Sequence, residues 1–317
     1  MDIRGETRAH ARMGHRQPAT AEHVARIRDA HGRERRDYRH RPTVTAVIPT
    51  LNEAENLPHV LSKLPCGVNE VIVVDGHSTD ETVRVAQEIR PDARVVLQDK
   101  QGKGNALACG FAAAHGDIIV TVDADGSTDP EEIPQFIAPL IEGADFVKGS
   151  RYMDGGGSSD ITRIRSAGNR ALGASVNLLF GTRYTDLCYG FSAFWRRCLP
   201  KLQVTCDGFE VETVINVRAA KAGLNVVEVP SYERDRIHGL SNLSAWRDGR
   251  RALLAILKER LSRLPEPSDE WKPEFAELAG PVSRPATALS PAPVGNPDEQ
   301  SDRAVSPDAA AVARALA

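Results

Sequence analysis

Short apolar segments recur along the middle of this chain, and each is followed by a polar loop and then by a helical pattern. Strands that alternate with helices pair in parallel and are joined by right-handed crossovers. We therefore expect an α/β domain in which the loops after the strands share one edge of the sheet. The expected strands are residues 44–48, 71–74, 94–97, 118–122 and 145–148.

The fourth apolar segment ends in two carboxylates, Asp123 and Asp125, one residue apart. Carboxylates at the carboxyl end of a strand lie where open α/β sheets bind ligands. Their oxygens suit Mg²⁺ or Mn²⁺, which would neutralise a diphosphate. Alternatively, Asp125 and Gly126 form a turn and Asp129 caps the next helix. Because the first, second and fourth loops all carry acids or glycines, the pattern favours a metal and nucleotide site.

The two ends of the chain differ in composition from its middle. Residues 1–42 contain eleven Arg, six acidic residues and five His, which predicts a basic, mostly disordered arm. Residues 264–317 contain nine of the twenty Pro, which predicts a disordered tail rich in Pro and Ala. Residues 43–263 are then expected to form one domain of about 220 residues.

Charge and hydropathy disfavour several kinds of partner. The net charge is -3 and the middle of the chain shows no basic face with interleaved aromatic residues, so no nucleic-acid partner is expected. No apolar run reaches the roughly 20 residues that a transmembrane helix needs. Five cysteines without metal-binding spacing predict reduced thiols and a cytoplasmic protein, and the basic arm leaves peripheral contact with the inner face of the membrane open.

Five motifs follow one another in the order IPTLNEAENL, VVDGHSTDETV, GKGNAL, VDADGSTDPEEI and GSRY. Together they resemble the inverting family 2 glycosyltransferases with the GT-A fold, over about residues 44–243. The resemblance implies a Rossmann-like, mostly parallel sheet flanked by helices, with a mixed or antiparallel acceptor half. It also implies metal-dependent transfer of a sugar from a UDP- or GDP-linked donor.

On the donor side, the resemblance implies that Pro49, Asn52, Glu53 and Asp75 face the base and ribose of the nucleotide. Gly76 stands where many relatives carry a second acid, so only Asp75 is transferred from that motif. The alternative for Glu53 is a carboxylate that favours the first turn of a helix.

Lys103 lies between two glycines at the start of a predicted helix, where a cation could meet the phosphate or the sugar. The pattern is not a P-loop, which needs an earlier glycine and a following Ser or Thr. A solvated lysine is the alternative.

The second half of the chain contains GSRYMDGGG, TDLCYGFSAFWRR and DRIHGLSNL, which resemble the polyprenyl-phosphate sugar transferases related to dolichyl-phosphate mannosyltransferase. The resemblance implies that Arg151 binds phosphate or acceptor, that Asp186 lies beside the acceptor, and that Arg236 clamps phosphate. Asn242 stands where those enzymes carry Lys. Polyprenyl phosphate and a glycan or other small molecule both stay open as acceptors.

His238 departs from the same motif and is a candidate third metal ligand beside Asp123 and Asp125, because neutral imidazole suits Mn²⁺. Asp123 would support either the ribose or the metal. An ordinary loop histidine is the alternative for His238.

Glu210 and Glu212 begin a predicted amphipathic helix. Residues two apart on a helix point about 200° apart, so only one of them can face the site. Related glycosyltransferases place their general base in this region, and Glu210 is preferred because it lies nearer the preceding loop. Both could instead be first-turn carboxylates. A base is needed for a hydroxyl acceptor, whereas an ionised phosphate needs none.

Two other functions compete with glycosyl transfer. A sugar-1-phosphate nucleotidyltransferase usually begins with a glycine-rich loop, which residues 48–51 lack. A non-catalytic nucleotide-sugar binding module would not need the carboxylate pair of Asp123 and Asp125.

Overall fold

The computed structural model describes residues 41–239 and 244–264, together with three strand segments at 25–28, 34–37 and 275–277. Most of the predicted arm and tail, as well as Asn242, lie outside the described residues. The predicted disorder of both ends and the domain limits therefore stay predictions.

The strands are β1 (Ala25–Arg28), β2 (Glu34–Asp37), β3 (Val44–Thr50), β4 (Glu70–Asp75), β5 (Arg94–Gln98), β6 (Ile118–Thr121), β7 (Phe146–Ser150), β8 (Gly157–Ser158), β9 (Ser192–Trp195), β10 (Val226–Pro230), β11 (Tyr232–Glu233) and β12 (Phe275–Glu277). The α-helices are α1 (Leu57–Leu61), α2 (Thr82–Ile89), α3 (Lys103–Ala113), α4 (Ile133–Ile141), α5 (Arg163–Phe180), α6 (Leu199–Leu202), α7 (Val211–Lys221) and α8 (Ala245–Leu261).

Eight of these strands form one mixed sheet in the order β10-β7-β9-β6-β3-β4-β5-β12. The parallel pairing predicted for five segments is confirmed for β3, β4, β5 and β6. The fifth, β7, does not pair with them, because β9 is inserted antiparallel to both β6 and β7. The strands β6 and β7 still run in the same direction, so the loops after β3, β4, β6 and β7 share one edge of the sheet.

Helices cover both faces of the central strands, which explains why those strands are apolar on both sides. On one face α3 packs against β3, β4 and β5. A Cβ on Gly110 would lie 2.3 Å from Val47 and 2.9 Å from Val74, so only glycine permits this close packing. On the other face the rings of Phe136 and Phe191 lie 4.1 Å apart.

A polar cluster around Glu70 joins the opposite ends of these strands. The Glu70 carboxylate accepts hydrogen bonds from Thr45 Oγ1 (2.6 Å), from Arg94 Nη1 (2.7 Å) and from the backbone N–H of His115 (2.9 Å). Burial alone would raise the pKa of this carboxyl, but the hydrogen bonds outweigh it and lower the pKa to about 2. The cluster therefore connects β3, β4 and β5 at the edge remote from the loops.

The helix α7 is buried on nearly every side, so the prediction that it is amphipathic was wrong. Its residues Thr213–Ala219 are all buried, because α5, α6 and α8 pack around it. The long helices α5 and α8 meet over a small cluster that contains Val176, Val217 and Ile256. Within the described residues, none of the helices is long and apolar enough to span a membrane.

Candidate functional site

A cavity of about 1200 Å³ opens where the loops after the strands meet α5 and α8. Its volume exceeds that of most single-ligand pockets, which measure about 300–1,000 Å³. One part of its wall is polar and comes from the loops. The other part comes mainly from α5, α8 and adjoining loops and carries most of the large apolar side chains, namely Ile161, Ile164, Leu172, Phe209, Trp246 and Leu253. The charged residues Asp160, Arg165, Asp248 and Arg250 lie among them.

The predicted site residues divide into two groups by position. Those that line the cavity are Pro49, Glu53, Lys103, Asp123, Asp125, Arg151 and Arg236. Those that lie outside its lining are Asn52, Asp75, Asp186, Glu210 and His238.

Lys103 connects three elements at the polar end of the cavity. Its Nζ lies 2.6 Å from Asp123 Oδ1 and 2.8 Å from Glu212 Oε1. Burial alone would lower the pKa of this ammonium, but the charges of both carboxylates outweigh it and raise the pKa. For Glu212, burial is the larger effect and raises the pKa of the carboxyl even though Lys103 opposes it. The alternative of a solvated lysine is therefore wrong.

The glycines on either side of Lys103 are explained by close backbone packing. A Cβ on Gly102 would lie 2.1 Å from the Asp207 carbonyl oxygen, and one on Gly104 would lie 2.2 Å from the Cys206 carbonyl oxygen. The Gly104 N–H donates to the Asp207 carbonyl at 2.9 Å. Both glycines are thus required by the backbone that crosses the start of α3.

Arg236 forms a second bridge, between the loops after β3 and β6. Its Nη1 donates to Glu53 Oε1 at 3.0 Å, and its Nη2 lies 3.4 Å from Asp125 Oδ2. The Glu53 carboxylate also accepts from Asn56 Nδ2 at 2.6 Å. Burial nevertheless raises the pKa of Glu53. Two predicted site residues, which are 183 positions apart, therefore form an ion pair.

Arg151 forms a third bridge and is the most deeply buried of the three cations. It donates in bidentate fashion to Asp186, from Nε (2.7 Å) and Nη2 (3.0 Å), and from Nη1 to Glu233 (3.0 Å). Asn169 Nδ2 also donates to Asp186, at 2.8 Å. Asp186 is fully buried behind Arg151, so it holds a residue of the cavity wall rather than forming the wall itself.

Asn52 and Asp75 organise the loops after β3 and β4, beside the cavity. Asn52 adopts a left-handed conformation (φ 56°) and accepts the backbone N–H of Thr79 at 2.8 Å. Asp75 Oδ2 accepts the backbone N–H of Ser78 at 3.0 Å. Its Oδ1 is buried and has no hydrogen-bond partner within the described residues.

The predicted metal ligands are not gathered into one cluster. Within residues 41–239 and 244–264, no group of three or more His, Cys, Asp or Glu side chains is arranged to hold an ion. Asp125 lines the cavity, and its Oδ2 lies 3.4 Å from Arg236 Nη2. The His238 ring instead lies 5.9 Å from the ring of His59. Of the three, Asp125 has the carboxylate best placed for an ion.

Glu210 and Glu212 differ in position, as their spacing predicts. Glu212 lines the cavity and pairs with Lys103. Glu210 precedes α7 outside the cavity lining, and its Oε1 accepts the Gly208 N–H at 3.3 Å. The catalytic role predicted for Glu210 stays a prediction, but the geometry places the other carboxylate at the site.

Sequence reasoning did not identify the apolar wall or one of its cations. Trp246, Arg250 and Leu253 of α8 line the cavity at positions i, i+4 and i+7, a helical spacing that could have indicated a shared face. Arg250 has no carboxylate partner among the described residues. Glu233, which holds Arg151, also lines the cavity.

Comparisons with known proteins agree with this architecture. The family model described as Glycosyl transferase family 2 matches residues 45–202. An uncharacterised glycosyltransferase of Mycobacterium bovis is 45% identical over 68% of this chain and 94% of its own. Polyprenol monophosphomannose synthase of Mycolicibacterium smegmatis is 32% identical over 64% of this chain and 83% of its own.

A solved structure adds a ligand-bound relative. Glucosyl-3-phosphoglycerate synthase of Mycobacterium tuberculosis, in complex with Mn²⁺, UDP and glucosyl-3-phosphoglycerate, matches with a TM-score of 0.57 and 26% identity. The match covers 71% of this chain and 81% of that one. This chain has the GT-A fold and belongs to glycosyltransferase family 2.

Proposed function

We propose that this glycosyltransferase moves a sugar, with inversion, from a UDP- or GDP-linked donor to a polyprenyl phosphate. The observation that carries the proposal is the division of one large cavity into a charged part and an apolar part. A nucleoside diphosphate sugar fits the first, and an acceptor with a hydrocarbon chain fits the second.

The donor would bind at the charged end. Pro49 lies at the carboxyl end of β3, Glu53 follows that strand, and Asp123 and Asp125 follow β6. All four therefore lie on the sheet edge where open α/β sheets bind nucleotides. The relative solved with UDP and Mn²⁺ supports a nucleotide donor. Asp75 would support the nucleotide side of this pocket through its carboxylate oxygen Oδ1, which accepts no hydrogen bond from the described residues.

A divalent ion would be held by Asp125, with Asp123 as the second carboxylate. Oxygen donors of this kind suit Mg²⁺ and Mn²⁺. Both carboxylates already lie against cations, at 2.6 Å from Lys103 and 3.4 Å from Arg236, so the site favours positive charge. When bound, the ion would neutralise the charge of the departing diphosphate.

The acceptor would enter between α5 and α8. Ile164 and Leu172 of α5 and Leu253 of α8 would contact its hydrocarbon chain. Arg250 is placed to meet its phosphate, because it lines the same wall and no described carboxylate neutralises it. The name of the mycobacterial relative, polyprenol monophosphomannose synthase, supports an acceptor of this class.

A phosphate acceptor would also agree with the positions of the two candidate bases, Glu210 and Glu212. Glu212 is paired with Lys103, and Glu210 lies outside the cavity lining. An ionised phosphate oxygen can attack the anomeric carbon without a general base, provided that it is held in line. A single displacement of this kind inverts the configuration of that carbon.

A thermal-shift screen tests the donor. UDP- and GDP-linked sugars are added to the full chain with Mn²⁺ or Mg²⁺, and each is repeated with EDTA. A nucleotide sugar at about 100 times its Kd should raise the unfolding midpoint by about 5 °C or more. The shift should shrink with EDTA. If no nucleotide sugar moves the midpoint, the proposed donor site is wrong.

A further inference from the structure

The helix α8 carries two apolar stripes on different sides. Ala252 and Ile256 face inward and are buried against α5 and α7. A second stripe, which we name the α8 face, is exposed, with Trp246 and Leu261 both at 89% of full exposure. The α8 face consists of Trp246, Leu253, Leu254, Leu257 and Leu261.

The members of the α8 face lie together on the helix surface. At about 100° per residue, their positions fall within an arc of about 100°. Because the buried stripe already completes the packing of α8, the core does not require the exposed one. Large contiguous apolar surfaces of this kind mark sites of interaction.

The exposed charges on α8 itself all have one sign, although two of these cations, Arg247 and Arg251, lie 3.4 Å and 3.7 Å from Oδ1 of the buried Asp248. The exposed basic side chains of α8 lie within and beside the apolar arc, whereas its acids, Asp248 and Glu259, are buried. Glu259 is already paired with Arg218 and Lys221. The exposed basic residues are Arg247, Arg250, Arg251, Lys258 and Arg260. The surface is therefore apolar and cationic on a chain whose net charge is -3.

This surface continues into the cavity. Trp246 and Leu253 belong both to the α8 face and to the cavity wall. From the neighbouring helix α5, Ile164 is 76% exposed and lines the same cavity. The mouth of the cavity is thus framed by exposed apolar side chains on two helices.

We propose that the α8 face docks on the surface of an anionic lipid bilayer. An amphipathic helix with basic flanks lies in the interface, where leucines and tryptophan enter the acyl boundary and cations meet the headgroups. Docked in this way, the chain would open its cavity toward the membrane. This inference rests on the proposed lipid-phosphate acceptor, but binding of the chain to vesicles can be measured without any substrate.

A second copy of the chain fits this surface less well. In a twofold dimer the same patch meets itself, so the cations of the two copies would face each other without exposed acids to pair with. A single-stranded nucleic acid would use aromatic side chains for stacking, whereas four of the five members of the α8 face are leucines. An anionic bilayer satisfies both the charge and the apolar surface.

Vesicle flotation tests the proposal with the full chain and no nucleotide sugar. The vesicles contain either phosphatidylcholine alone or phosphatidylcholine with phosphatidylglycerol. The test variant is Leu257→Asp/Leu261→Asp, whose positions lie outside the cavity lining. The matched control is Ile89→Asp/Ile141→Asp, since both isoleucines are 42% exposed on other helices. The wild type and all variants share the same basic residues 1–42. A difference in flotation between the wild type and the test variant is therefore caused by the substitutions in α8.

The wild type and the control should float with the anionic vesicles, and the test variant should bind at least about tenfold more weakly. Lys258→Ser should weaken binding about fivefold and only on anionic vesicles. All variants should keep the wild-type unfolding midpoint and thermal shift with nucleotide sugar.

Undiminished flotation of the test variant, or no flotation of the wild type, overturns the proposal. A wild-type dimer that the test variant converts to a monomer in sedimentation analysis assigns the α8 face to a second copy. Donor binding is measured separately, by the thermal shift with nucleotide sugar. A chain that binds the donor but not the vesicles would therefore contradict membrane docking and leave the proposed donor site standing.

Discussion

The Nζ of Lys103 lies 2.6 Å from Oδ1 of Asp123, so the start of α3 is joined to the first carboxylate of the turn after β6. Glu212 completes the arrangement from α7, at 2.8 Å from the same ammonium. Because both carboxylates raise the pKa of Lys103, it stays charged over the whole working range of pH. The residue therefore stabilises two carboxylates that would otherwise repel each other.

Lys103→Met should lower kcat/KM for the donor by about tenfold or more, because Asp123 and Glu212 lose the cation between them. Steady-state kinetics with the preferred nucleotide sugar measure this. The control is Lys100→Met, three residues earlier and exposed, which should leave kcat/KM within about twofold. Equal effects of the two variants would contradict the account.

Glu212→Gln should reduce turnover by about tenfold or more, and Glu210→Gln by no more than about threefold. Glu212 lines the cavity and orients Lys103, whereas Glu210 contacts the backbone of Gly208 outside that lining. A larger loss in Glu210→Gln would restore the role that the sequence predicts for it. The double variant Lys103→Met/Glu212→Gln should lose less than the sum of the two single effects, since the residues are in direct contact.

The sequence predicted the elements better than their contacts. Strand and helix positions follow from local periodicity and turn residues, and they place Asp123 and Asp125 at the correct edge of the sheet. The ion pair of Arg236 with Glu53 joins residues 183 positions apart, and no local pattern predicts such a pair. The reason for the glycines beside Lys103 is likewise not visible in the local sequence, because the backbone that crosses them, at Cys206 and Asp207, is distant in sequence.

The same limit explains two errors, one about the helix α7 and one about the order of strands in the sheet. The surroundings of α7 come from α5, α6 and α8, so its burial could not be inferred from its own residues. The insertion of β9 between β6 and β7 likewise depends on long-range pairing.

Asp186→Asn should lower the free energy of unfolding by about 3–5 kcal/mol, because it leaves Arg151 buried beside a neutral partner. Burial alone would raise the pKa of Asp186, but Arg151 outweighs it and lowers the pKa. Urea unfolding at neutral pH measures the loss. The control Asp160→Asn removes a more exposed partner of Arg165 and should cost about 1 kcal/mol or less. Similar losses in both would show that the buried pair does not stabilise the fold.

Glu70→Gln should destabilise the chain by about 2 kcal/mol at neutral pH, with a dependence on pH that identifies the cause. The folded pKa of Glu70 is lowered from 4.5 to about 2, so its stabilisation is complete above pH 4.5. The stabilisation is lost as pH falls through 2, where the difference from the wild type should disappear. Unfolding curves between pH 7 and pH 2 measure this, with Glu55→Gln at an exposed site as control. A difference that persists at the lowest pH would point to lost packing instead.

The most direct test of the account is sugar transfer to polyprenyl phosphate by the wild type and by Asp125→Asn. With a nucleotide sugar and Mn²⁺, the wild type should form a lipid-linked sugar, and Asp125→Asn should form it about a hundredfold more slowly. Asp154→Asn, at an exposed position outside the cavity lining, should match the wild type. Unchanged transfer by Asp125→Asn, or no lipid-linked product from the wild type with any UDP- or GDP-linked sugar, would contradict the account.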